Sequence, residues 1–195
     1  MYLKMNYFKA ILVTIIIFST STITEAQTIK KGDLTASASI GLLPTYFMDG
    51  GTTITPPLQI GVEYRLAKVF SVGAFAGYSN YEGAPYENLD GSAYQVTTET
   101  MMAGIRAGVH TASFEKWDIY GGFQLGYATP NIEYTILNLG EQRFPRPKVR
   151  KGLVYSGYVG VTGNLTERIG IFGEFGFGIS LISAGVKTRI FTSTK

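Results

Sequence analysis

Cysteine is absent from the 195 residues, and histidine and tryptophan occur once each. Without thiols there can be no disulfide staple, thiolate nucleophile or thiolate metal site. Charge is scarce as well. Only 16% of residues are Asp, Glu, Lys or Arg, against roughly a quarter in an ordinary soluble domain. A net charge of +3 is mild and divides between the N-terminus and one later stretch, so nucleic acid is not indicated as a partner. Long apolar runs are also missing. The longest near the N-terminus, Ala10 to Phe18, falls short of the ~20 residues that a membrane-spanning helix needs, and no later stretch supplies one.

What is present is glycine (24), tyrosine (13) and phenylalanine (12), within a chain that is 45% hydrophobic. The N-terminus has the grammar of an export signal: Lys4 and Lys9, then the apolar core 10–18, then Thr24-Glu25-Ala26 with small residues three and one before a cut at Gln27. The expected organisation is a signal peptide over 1–26 and a single domain over 27–195. An uncleaved anchor is the alternative.

The domain alternates. Leu58, Ile60, Val62, Tyr64 and Leu66 are apolar, with Gln59, Gly61, Glu63 and Arg65 between them. Strict alternation means a strand with two unlike faces. Eight such segments are expected, over 34–47, 58–66, 70–78, 94–110, 117–127, 153–165, 169–179 and 186–190. Connections at 67–69, 111–116 and 166–168 are short, and those at 49–57, 79–93 and 129–152 are long. The last, at 180–184, is tight. Short and long taking turns means that each kind gathers at one end. Apolar alternation with that spacing is the pattern of a membrane barrel with short turns on one side and longer loops on the other. The expected fold is all-β, a single eight-stranded antiparallel up-and-down transmembrane β-barrel.

Alternation alone does not say which face is outside, since a soluble lipocalin-like barrel would turn its apolar face inward. The polar face decides. It holds mainly Gly, Ser, Thr, Gln, Asn and Tyr, whereas water-facing strands use charge freely. Glycine suits a crowded interior. Aromatics also cluster near the ends of the apolar stripes. Tyr46 or Phe47, Tyr78, Tyr127, Tyr155 and Phe177 are at the loop end, with Phe70 and Trp117 at the turn end. Two such belts fit a bilayer. Without a helix able to span, a closed barrel is the remaining way to cross one.

On this register Glu63, Asp118 and Glu174 face inward, together with Arg65, Arg106, Lys187 and Arg189. Charges held away from water need partners, and Glu174 is expected to pair with Lys187 or Arg189 on the neighbouring strand. An ion pathway is one reading of this network. A self-neutralising plug is the one favoured, because side chains roughly fill an eight-stranded interior.

Little else carries chemistry. His110 stands beside Thr111 and Ser113 at a short turn and reads as an interfacial residue, with a membrane hydrolase using Ser113 as the remote alternative. No carboxylate cluster has metal-ligand spacing and no glycine loop introduces a helix, so no catalytic residue, metal or cofactor is expected. The stretch 143–151 concentrates Arg143, Arg146, Lys148, Arg150 and Lys151 in the longest loop. If external, it meets the phosphates of outer-membrane lipid and lipopolysaccharide. The acidic, tyrosine-rich loop 81–90 could hold an extracellular partner.

The whole pattern from Leu34 to Phe191 resembles the small outer-membrane β-barrel family, akin to the OmpA transmembrane barrel and OmpX. Its end, Gly173-Glu174-Phe175-Gly176-Phe177-Gly178-Ile179 followed by Gly185-Val186-Lys187-Thr188-Arg189-Ile190-Phe191, resembles the closing hairpin of PorT-like barrel domains. The resemblance implies an outer-membrane location, no catalytic residues, and recognition by the barrel-assembly machinery through an aromatic-ended last strand. Here Phe191 falls on the parity opposite to Ile190 and is followed by 192–195. The expected function is a non-enzymatic integral outer-membrane protein with a structural or surface-interaction role and a largely closed lumen. A small pore for ions or small solutes and a soluble periplasmic barrel binding an apolar ligand are the alternatives.

Overall fold

A computed structural model describes residues 30–45, 51–87, 93–111, 116–138 and 151–191. The expected signal peptide, Tyr46, Phe47, Ser113, Arg143, Arg146, Lys148, Arg150 and the tail 192–195 lie outside the described residues.

The strands are β1 (Leu34–Pro44), β2 (Thr52–Ala67), β3 (Phe70–Glu82), β4 (Tyr86–Glu87), β5 (Ala93–His110), β6 (Trp117–Asn138), β7 (Gly152–Asn164), β8 (Ile169–Gly176) and β9 (Ser180–Phe191). Each pairs antiparallel with its sequence neighbour, apart from the two-residue β4, which only flanks β5. β1 also pairs with β9, and β3 with β5, so the ring closes. The result is an eight-stranded up-and-down barrel with no open edge around its waist, which is how a sheet satisfies its backbone inside a bilayer.

Side-chain exposure orients the wall. Ile60, Ile105 and Phe123 are 63%, 64% and 78% exposed on the outside, whereas Ser71, Phe75 and Tyr120 are 0%, 4% and 4% exposed within. A continuous apolar outer surface over a polar interior is the inverse of a soluble barrel and requires hydrocarbon around it. Glycine makes room inside. A methyl group at Gly122 would overlap the carbonyl oxygen of Ala107, and one at Gly104 that of Leu125.

Several boundaries differ from the sequence expectation, with physical reasons. β6 continues to Asn138 and β3 to Glu82, where loops were expected. β5 pairs with β6 as far as Ala93 opposite Asn138, while β7 stops at Gly152 opposite Ala128. From Ala128 to Asn138 the hairpin therefore runs about 33 Å further along its axis, at roughly 3.3 Å per residue. Along this extension the pleat reverses polarity. Below it, odd-numbered Met101, Ile105, Phe123 and Leu125 form the apolar outside. Above it the odd positions include Gln95, Thr97, Glu99, Asn131, Glu133 and Thr135, and the apolar residues Tyr94, Val96, Ile132 and Tyr134 take the even, lumen-side phase, until Ile136 and Leu137 are both exposed at the strand end. A strand leaving hydrocarbon for water must change which face is polar, and that reversal disguises a continuous strand as a break.

β2 begins at Thr52 because register shifts between Thr53 and Thr55 and between Thr55 and Leu58 absorb Pro56 and Pro57. β9 begins at Ser180, leaving only 177–179 to connect it to β8. Ile179, expected on the lipid face, instead turns inward and packs with Phe75 and Met102, flanked by Ala128 and Val154. The parity conflict at Phe191 resolves through a bulge. Arg189 pairs with Thr35 and Phe191 with Leu34, so Ile190 is the extra residue and both Ile190 and Phe191 stay exposed on the outside.

A closed barrel predicts that unboiled protein migrates differently from boiled protein in a denaturing gel, and identical mobility would contradict closure. Gly122→Val should destabilise the barrel by about 1–3 kcal/mol through overpacking, read as a lower urea midpoint in lipid vesicles. An unchanged midpoint would mean that Gly122 is not pressed against β5.

Candidate functional site

The interior of the turn-side half is a compact set of ionic and aromatic side chains, delivered by strand parity from almost every barrel strand. Glu63 and Arg65 come from β2, Ser71 from β3, Arg106 and His110 from β5, Asp118 and Tyr120 from β6, Tyr158 from β7, Glu174 from β8, and Lys187 and Arg189 from β9. Asp33 joins them from just before β1. Gly32 takes a left-handed backbone there, with φ of 89°, and its N–H donates to the Arg65 carbonyl at 2.8 Å, leaving Asp33 fully buried.

Among the described residues, every interior cation meets a carboxylate. Arg65 Nη2 is 3.1 Å from Asp118 Oδ2, Arg106 Nη2 is 2.8 Å from Glu174 Oε2, Arg189 Nε is 3.3 Å from Asp33 Oδ2, and Lys187 Nζ is 4.0 Å from Glu63 Oε2. Asp33, Glu63, Asp118 and Glu174 thus balance Arg65, Arg106, Lys187 and Arg189. Aromatic faces support two of the cations. The Arg106 guanidinium lies 4.0 Å from the Tyr158 ring centre, and Lys187 Nζ lies 4.8 Å from that of Tyr120. Glu174 also accepts from the Tyr120 hydroxyl at 3.3 Å.

The pairing differs from the expected neighbour-strand scheme. Glu174 binds Arg106 from β5 rather than Lys187 or Arg189 of β9. In so narrow a lumen a side chain across the barrel is as near as one next door. Lys187 is drawn over Tyr120 toward Glu63, and Arg189 toward Asp33 at the turn-side end.

His110 is the larger correction. It is 4% exposed and faces the lumen rather than the membrane interface. Its Nδ1 lies 2.8 Å from Asp118 Oδ2, its Nε2 3.0 Å from Glu63 Oε1 and 2.7 Å from Ser71 Oγ, and its ring stacks on Tyr120 at 5.4 Å. The signal for this was in the sequence: His110 shares the parity of Arg106 and Gly108. Asp33 gave no such signal, because it precedes the alternation.

Ser71, His110 and Asp118 have the order of a nucleophile, base and orienting carboxylate. Their surroundings do not serve that chemistry. The Ser71 hydroxyl is fully enclosed, a second carboxylate competes for the same ring nitrogen, and acyl transfer needs donors aimed at an oxyanion beside an accessible nucleophile. No group of three or more metal-ligating side chains converges among the described residues.

Above the charged layer, Phe75, Met102 and Ile179 form an apolar one. Among the described residues, one cavity of about 20 Å³ lies near Gln124 and Glu174 and another of about 10 Å³ near Arg168, Lys187 and Arg189. At the loop end, Tyr86 of β4 stacks on Tyr94 of the extended hairpin at 5.3 Å, with Tyr134 at 6.4 Å from Tyr94. Lys151 is exposed at the base of β7.

These features define a closed up-and-down barrel with an ion-paired interior. No family model matches the chain, and no curated protein does. Among solved structures it is similar to the outer membrane protein OprG from Pseudomonas aeruginosa, at 14% identity and a TM-score of 0.52, covering 84% of this chain and 92% of that one. At that identity the likeness shows the fold. The outer membrane protein Ail of Yersinia pestis matches more loosely, at 11% identity and a TM-score of 0.45, over 82% of this chain and 100% of that one.

Asp118→Ala would leave Arg65 and His110 facing each other without their shared carboxylate. It should cost about 3–5 kcal/mol, as removal of one partner from a buried ion pair does. Combining it with Arg65→Met should cost clearly less than the sum of the two single changes. Additive effects in urea titrations of vesicle-embedded protein would show that the pair is not coupled.

Proposed function

We propose that the chain is exported by residues 1–26 and that its remainder is a non-enzymatic integral outer-membrane barrel with a closed lumen. Its role is structural or one of surface interaction, exerted through what stands outside the membrane. The observation that carries this reading is the interior itself. Among the described residues each interior cation is matched by a carboxylate, and the cavities beside Gln124 and Arg189 are of water size, which supports a lumen filled by side chains rather than a solute path. The apolar outer wall and the fold shared with OprG support the outer-membrane location.

The same interior argues against the two rival activities. A small pore needs a continuous wet path, and a hydrolase needs a nucleophile that substrate can reach. What remains free to act is the external side: the tall β5–β6 hairpin with its tyrosines, and the basic stretch holding Arg143, Arg146, Lys148, Arg150 and Lys151. Guanidinium and ammonium groups in such number suit the phosphates of lipopolysaccharide. The last strand, ending in adjacent exposed Ile190 and Phe191, offers the barrel-assembly machinery an aromatic terminus on the lipid side.

In planar bilayers the purified protein should give no reproducible single-channel steps, and regular steps would overturn the closed lumen. A fluorophosphonate probe should leave Ser71 unlabelled in folded protein. Replacing Arg143, Arg146, Lys148, Arg150 and Lys151 by Gln should weaken lipopolysaccharide binding at low salt, whereas unchanged affinity would remove the basic stretch from the reading.

A further inference from the structure

The larger interior cavity, about 20 Å³, lies beneath the short connection between β8 and β9. Gln124, Glu174, Ser39, Gln59 and Ser183 contribute to its wall. Gln124 is 8% exposed, and its Nε2 donates to the Phe177 carbonyl at 3.3 Å. Its Oε1 is buried and has no hydrogen-bond partner among the described residues. A buried amide oxygen without a donor is unfavourable and calls for an explanation.

Arg106 Nε and the Ser156 hydroxyl, opposite Gln124 on β7, are buried without a hydrogen-bond partner among the described residues, but neither residue lines the cavity, and other nearby donors are engaged. Arg106 and the Tyr120 hydroxyl both donate to Glu174 Oε2, the Tyr158 hydroxyl donates to the Ala107 carbonyl, and the Ser180 hydroxyl is within bonding distance of the Leu43 and Ile182 carbonyls. The cavity is polar and exceeds the roughly 10–15 Å³ that one water requires, and a water needs two to four polar partners. It is far too small for an organic solute.

We infer that this cavity is a binding site for an ordered water, which donates to Gln124 Oε1 and completes its bonding through Glu174 and the serine hydroxyls of the same wall. The water links β6 to β8 and to the β9–β1 side of the ring, so Gln124 is a positioning residue for the outer end of the seal. It also marks how far external water penetrates, since the Arg106–Glu174 bridge with Tyr120 and Tyr158 lies beyond it. The inference deepens the closed-lumen reading and rests on it only for that last point.

A high-resolution crystal structure from crystals soaked in rubidium chloride tests the site. The expected result is density within hydrogen-bonding distance of Gln124 Oε1 and no anomalous rubidium signal there. An empty cavity would overturn the inference, as would a rubidium peak, which would make the site one for a monovalent cation. Gln124→Met, close in volume but without the acceptor, should lose the density, and its persistence would remove Gln124 from the site. If that variant does not fold, the unmodified protein still decides between the outcomes. Bilayer conductance is a separate measurement: conduction with the water in place would sink the closed lumen and leave the water site standing.

Discussion

Charge placed inside a barrel this narrow has to be cancelled inside it. The charged side chains are buried and an apolar wall lies on the other side of a single sheet, so an unmatched carboxylate or guanidinium would bear most of its desolvation penalty. The arrangement of the interior follows from that constraint. Glu63 serves both Lys187 and His110, and Asp118 serves both Arg65 and His110. Arg106 and Lys187 rest on tyrosine rings that sit too deep to reach water. The glycines that face inward, Gly104 and Gly122 among them, leave the volume these long side chains occupy. Polar packing therefore takes the place that an apolar core holds in a soluble domain.

The same constraint explains how the side chains of a nucleophile, base and carboxylate come together through polar packing alone. Ser71, His110 and Asp118 are brought to bonding distances because each needs a polar partner in a closed space. A histidine between two carboxylates and a serine satisfies all of them at once. What a hydrolase requires in addition is a path for substrate and a donor pair for an oxyanion, and enclosure of Ser71 removes the first. Short distances between the right residue types report polar satisfaction first, and function only when a reacting atom has somewhere to sit.

Outside the bilayer the solvent changes, and the sheet changes with it. Polarity passes from one pleat phase to the other along β5 and β6, so Tyr94, Val96, Ile132 and Tyr134 turn to the lumen side while Glu99 and Glu133 turn away. The hairpin is continuous, yet its sequence carries two opposite amphipathic patterns. Reading one phase along the chain therefore ends β3 and β6 early and turns the remainder into loops. The strands themselves, their order, the lipid-facing stripe and the inward set Glu63, Arg65, Arg106, Asp118, Glu174, Lys187 and Arg189 were all legible, because a period of two assigns each residue to a face without reference to any other strand.

Sequence by itself determined the class of structure. Alternation, glycine-rich polar faces and the lack of a spanning helix leave a closed barrel, and parity alone decides which residues enter it. Parity even held the answer for His110, which a turn-end position obscured. Only the tertiary structure decided the partners. Which carboxylate meets which cation depends on the shear of the ring and on distances across the lumen, where Arg106 reaches Glu174 from a strand that is not its neighbour. The entry of Asp33, the inward turn of Ile179 and the bulge that sets Phe191 on the outer face belong to the same kind. Each depends on how a strand end meets the closed ring, and a linear pattern contains no information about closure.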